Sequence, residues 1–138
     1  MVRINLIKPT QLADQHLIAE YNEILMLLGY VKKYPEPINI PPTYRLGEGH
    51  IKFFKNKILY LQKRHKLLKK EMKKRGFATN KTIELKIFDK KLQNDWKPRS
   101  QDKEIIKERI RQKIKSKPNF YSYYRKHETE KFLLDLLE

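Results

Sequence analysis

Apolar residues recur along much of the chain at steps of three and four, the spacing that gathers them on one face of an α-helix. In residues 10–34 this stripe is Leu17, Tyr21, Ile24, Leu28 and Val31. Thr10 or Asp14 is the candidate N-cap of this first helix, and Pro35 and Pro37 end it. Pro41 and Pro42 keep the following stretch an extended loop. Residues 49–75 carry a second stripe: Ile51, Phe54, Ile58, Leu61, His65, Leu68 and Met72. Asn56 interrupts or caps it, so the main second helix is 57–75, with Gly76 as its stop. Ile83, Leu85 and Ile87 alternate with Thr82, Glu84 and Lys86, which predicts a short extended segment. Ser100 is the candidate cap of a third helix over 101–116 that turns Ile106, Ile110 and Ile114 inward, and Pro118 closes it. An aromatic cluster follows, and residues 127–137 hold Phe132, Leu133, Leu136 and Leu137 at helical spacing. The expected fold is a single compact all-α domain of three main helices with long loops. Its body is expected over 1–126, with a helical tail over 127–138 packed on it.

Composition narrows the classes. The 138 residues are 39% hydrophobic, enough for a modest core and too apolar for a disordered basic tail. The chain has no Cys, which excludes a disulfide scaffold, a thiolate metal site and a cysteine nucleophile. No apolar run approaches the ~20 residues of a spanning helix. Residues 1–9 hold Arg3, Asn5 and Lys8 and no long apolar core, so no signal peptide is expected. The expectation is a soluble, cytoplasmic or otherwise intracellular monomer.

The net charge of +16 is unevenly spread. Residues 1–48 are neutral overall, residues 49–75 carry +10 and residues 103–126 carry +7. Solvated helix faces would account for this; so would a surface that follows phosphates and releases counterions. A membrane surface fits less well, because the basic helices lack an apolar face that would insert.

Three constellations could carry chemistry. Val2 is small enough for Met1 to be removed, which would expose an α-amine. Such an amine has a pKa of about 7.7–8.0, against about 10.4 for Lys, so it is partly neutral and nucleophilic at neutral pH. The neighbouring Arg3 lowers it further by like charge. On the first helix, His16, Glu20 and Glu23 share a face at i, i+4 and i+7. From spacing alone this reads as a solvated polar face, with metal ligation as the alternative. His50, His65 and His127 are scattered, and His65 falls on the apolar stripe, where a packed histidine is expected. Lastly, Arg109, Lys113 and Lys117 lead into Phe120, Tyr121, Tyr123 and Tyr124. Interleaved cations and rings suit phosphates and exposed or wedged bases, although some of these rings would also complete a small core.

These residues resemble a known family. The start Arg3-Ile4-Asn5-Leu6, the run 12–17 (Leu-Ala-Asp-Gln-His-Leu), Ala19-Glu20-Tyr21 and Glu23 are similar to the phage endonuclease V type of pyrimidine-dimer DNA glycosylase with abasic-site lyase activity. The similarity continues at Gly47, Gly49, His50, Phe53 and Phe54, at Lys74-Arg75-Gly76-Phe77, and at Pro118, Tyr121, Tyr123 and Tyr124. The resemblance implies an N-terminal segment threaded between helices. It implies that the mature N-terminal amine, here Val2, attacks C1′ of the damaged nucleotide and forms an imino intermediate. It implies Glu23 as the catalytic carboxylate, with Arg3, His16 and Tyr21 at the damaged-DNA site and Arg109 and Lys113 near the backbone. Duplex DNA carrying UV damage is the implied partner, with no metal or other cofactor.

The sequence also departs from that pattern. Asn22 and Met26 stand where the phage type has Arg, and Phe120 stands for its first Trp. Position 22 remains a candidate DNA contact. Three other readings stay open: a non-catalytic basic DNA- or RNA-binding protein, a basic structural or ribosome-associated protein, and a lyase for other damaged pyrimidines or abasic sites.

Overall fold

In the computed structural model, which describes residues 3–138, three long helices carry the architecture: α1 (Asp14–Lys33), α3 (Ile58–Lys74) and α4 (Ser100–Ser116). Two short ones, α2 (His50–Phe54) and α5 (Glu130–Asp135), and a two-stranded ribbon, β1 (Ser122–Tyr123) with β2 (Lys126–His127), complete it. The chain is therefore all-α in class. Among the described residues no helix is long and apolar enough to cross a membrane.

The three sequence stripes are the core. Leu17, Ile24 and Val31 of α1 and Ile58, Leu61 and Leu68 of α3 are fully buried, as is Ile106 of α4. Burying these faces against each other removes roughly 1.5–3 kcal/mol worth of apolar side chain per residue from water. α1 packs on α3, and α5 packs on α4.

Several boundaries differ from the expectation, each for a physical reason. The first helix starts at Asp14, after a 3₁₀ turn at Pro9–Gln11. Its N-cap is Ala13, with no side-chain cap. Asp14 does not cap because its carboxylate is engaged elsewhere: it accepts from Arg75, from Ser122 Oγ and from the backbone N–H groups of Tyr124 and Arg125. Those last two bonds hold the ribbon's turn, where Tyr124 (φ 51°) and Arg125 (φ 69°) both adopt the left-handed conformation of a tight hairpin. The third helix is capped by Arg99 rather than Ser100, and Asp102 accepts the Arg99 N–H at 2.9 Å. The 82–87 alternation does not make a strand. Leu85–Ile87 is a 3₁₀ turn, and the Gln93 amide donates to the carbonyls of Leu85 and Phe88, fastening the turn without a partner strand. The break near Asn56 and the stop at Gly76 (φ 85°) fall as expected.

The segment before α1 runs through the interior without regular secondary structure and turns at Leu6 (φ 60°). Ile4, Asn5, Leu6 and Ile7 are all buried, so their polar backbone groups need partners. Side chains supply them. His50 Nε2 accepts the Ile4 N–H at 2.9 Å, the Tyr44 hydroxyl donates to the Ile4 carbonyl at 2.9 Å, and Arg64 donates to the Ile7 carbonyl. The segment is thus threaded through the interior and clamped along its length.

Candidate active site

The clamp begins with a histidine in one tautomer. Because Nε2 of His50 accepts the Ile4 N–H, its proton sits on Nδ1, which donates to the Arg45 carbonyl at 2.8 Å. Burial lowers the His50 pKa, consistent with the neutral ring that the clamp requires. One residue upstream of Ile4, the Arg3 backbone amide donates to the carboxylate of Glu23, which α1 projects toward it. Burial raises the Glu23 pKa, and nearby Glu20 pushes the same way, while the Arg3 amide and guanidinium oppose them. A carboxyl group shifted upward in this way is closer to the range useful for proton transfer.

Cations and rings surround this pair. Burial and the adjacent Arg109 both lower the Arg3 pKa, while Glu23, Tyr44 and Tyr121 oppose them. Arg3 and Arg109 share a cavity of about 410 Å³ with Gly47, His50, Glu108 and Gln112. His16 sits on the other side. Its ring lies 4.7 Å from that of Tyr121, and burial, with Arg3 and Lys113 nearby, holds its pKa down at about 4. It is a neutral imidazole at neutral pH. From Tyr121 the aromatic edge continues to Phe120, in T-shaped contact at 5.1 Å, and to Lys117, whose ammonium lies 5.2 Å from the Phe120 ring centroid.

The structure therefore brings together Arg3, His16, Glu23, Arg109, Lys113 and Tyr121, with Lys117 and Phe120 on the adjoining edge. Val2, with the proposed removal of Met1, lies outside the described residues. Asn22 is exposed on α1, as is Met26. Three candidates sit elsewhere. Tyr21 is buried, stacks on His65 at 4.6 Å and accepts the Lys81 N–H through its hydroxyl. Tyr123 and Tyr124 flank the Arg75 guanidinium at 4.5 and 4.9 Å, and their hydroxyls donate to the Thr10 carbonyl and to Glu71. Tyr21 and Tyr123 brace the fold, while Tyr124 keeps 41% of its surface exposed.

Glu20 corrects the sequence reading of a solvated face. It is fully buried and receives two hydrogen bonds from Arg64, at 2.7 and 3.0 Å. It is thereby withdrawn from any metal set with His16 and Glu23. Among the described residues no group of three or more His, Asp or Glu could hold a metal ion. Tyr44 and Arg64, which fasten the N-terminal segment, were not singled out by sequence. Arg64 did leave a signal, since it lies at helical spacing among Leu61 and Leu68 of the apolar stripe.

A carboxyl group of raised pKa beside Arg3, with Arg109, Lys113 and Lys117 and the rings of Tyr121 and Phe120 in the same region, suits a protein that acts on a polyanion. The family model described as pyrimidine dimer DNA glycosylase matches residues 1–85, more than half of the chain, and the chain belongs to that family. It is accordingly a DNA repair glycosylase with DNA as its substrate. The matched residues include α1, the clamped segment and α3.

Proposed function

We propose that this glycosylase also cleaves the DNA strand, as a lyase working through an imine on its own N-terminus. Removal of Met1 frees the Val2 amine. Its nitrogen forms a bond to C1′ of a damaged pyrimidine nucleotide as the C1′–base bond breaks, and the departing base takes the electron pair and a proton. Opening of the sugar, with a proton to O4′, leaves an iminium at C1′. Loss of a proton from C2′ then expels the 3′-phosphate by β-elimination. Glu23 stabilises the cationic carbon and relays these protons. Arg3, Arg109, Lys113 and Lys117 hold phosphates, while Tyr121 and Phe120 meet the bases at a distorted step. UV-induced pyrimidine dimers in duplex DNA are the substrate, with abasic sites as the shared intermediate.

The observation that carries this reading is the hydrogen bond from the Arg3 amide to Glu23. That bond fixes the first described residue of the chain beside the carboxylate. Borohydride reduction tests it. A covalent adduct with UV-irradiated and with abasic duplex is expected, and peptide mapping is expected to put the DNA on Val2. No adduct with either substrate, or an adduct on a lysine alone, would overturn it.

A further inference from the structure

The face of α1 that carries Glu23 runs on for two more turns. Tyr30 lies seven residues after Glu23, on the same side of the helix and about 10.5 Å further along its axis. There the helix end, the following loop and α2 form a groove of about 420 Å³, lined in part by Tyr30, Lys33, Tyr34, Ile38, Lys52 and Lys55. Lysines and exposed apolar side chains meet in it. Tyr34 and Ile38 present apolar surface to solvent, at 49% and 64% exposure. The Lys33 ammonium lies 5.6 Å from the Tyr34 ring centroid, and that of Lys55 lies 5.7 Å from the Tyr30 ring centroid.

Lys55 is the telling residue. Only 7% of the residue is exposed, so its stem is covered, but its ammonium opens into the groove and makes no ion pair among the described residues. A phosphate entering the groove would meet it there. The one acid lining the groove, Glu36, is 68% exposed at its side chain and lies 3.7 Å from Lys91.

We infer that this groove binds a nucleotide of the DNA flank beside the lesion, its phosphate between Lys33 and Lys55 and its base or sugar on Tyr34 and Ile38. A strand advances about 3.4 Å per nucleotide, so the groove meets DNA roughly three nucleotides from the reaction centre. The inference rests on the proposed function for its register. It gives the exposed aromatic end of α1 a role in reading how the flank is stacked.

Duplexes carrying a tetrahydrofuran abasic analogue test it by fluorescence anisotropy, with the flank on each side shortened in turn from about six to about two base pairs. Wild-type protein is expected to lose about tenfold in affinity when one particular flank is shortened. Tyr34→Ala is expected to lose about tenfold on the long duplex and nothing on the short one. Lys55→Gln follows the same pattern; should it unfold, the half-exposed Tyr34 carries the test alone. Equal weakening on both duplexes, or no weakening on either, overturns the inference. Binding to the analogue requires no chemistry. Failure of borohydride trapping by the wild type would thus remove the lyase reading and leave the flank measurement standing.

Discussion

Two polar clusters meet at α1 and could hardly be arranged more differently. On the side facing α3, Glu20 takes two bonds from Arg64, and Arg75 binds Asp14, Glu71 and the carbonyls of Leu12 and Pro9. All of these side chains are nearly or fully inaccessible, and each cation meets at least one carboxylate. On the side facing α4, Arg3 lies beside the half-buried Glu23 carboxyl group and Arg109, and Arg3 and Lys113 lie beside a neutral His16. The first cluster has its charges matched and dry. The second brings like charges together and shifts pKa values away from their ordinary range. Matched buried pairs are a structural debt already settled within the fold; an excess of one sign beside a shifted acid is what a charged substrate would complete.

The sharpest break of this contrast is chemical unfolding. Arg75→Met leaves Asp14 and Glu71 buried without their cation, and a loss of about 3–5 kcal/mol is expected. The loss includes the ribbon turn that Asp14 holds. Leu61→Ala, at a fully buried position of α3, is expected to cost about 2–5 kcal/mol. Urea titration checks both, and a cost below ~1 kcal/mol in either would contradict the packing described. Acid probes the next level. The folded-state pKa values of His16 and His65 are about 4, and that of His50 is lowered as well. The unfolded chain binds these protons near the ordinary value of about 6.5. Stability is therefore expected to be flat above about pH 7 and to fall as pH drops from about 6.5 toward 4. A denaturation midpoint unchanged between about pH 7 and 5 would contradict it. The smallest expected change is on the surface side: Arg109→Gln should leave folding within about 0.5 kcal/mol. It should also lower the magnitude of the salt slope of DNA binding by about one. An unchanged slope would take Arg109 off the DNA.

How much of this the sequence discloses depends on distance along the chain. The stripes of α1, α3 and α4 are visible because helical spacing is local. Glu20, Arg64, Glu71 and Arg75 occupy positions on or beside those same stripes, which marks them as charges turned inward. Their pairing is not visible, since Arg64 and Glu20 are 44 residues apart. The ribbon at 122–127 leaves no signal either. Its two left-handed residues are Tyr and Arg, and what permits them is Asp14, more than a hundred residues away. The corner of Arg3 and Glu23 was legible only through family resemblance, because no spacing rule joins a chain end to a helix. The clamp by His50 and Tyr44 needed the fold.

The central claim is that Glu23, held by the Arg3 amide, serves chemistry whereas Glu20, three residues away, serves the fold. Single-turnover cleavage of an abasic duplex by Glu23→Gln, measured beside its thermal denaturation, tests that claim most directly. The account predicts a rate lower by about 10²–10⁴-fold, with retained DNA binding and a denaturation midpoint close to wild type. Full cleavage by that variant, or a rate loss matched by unfolding, would contradict it.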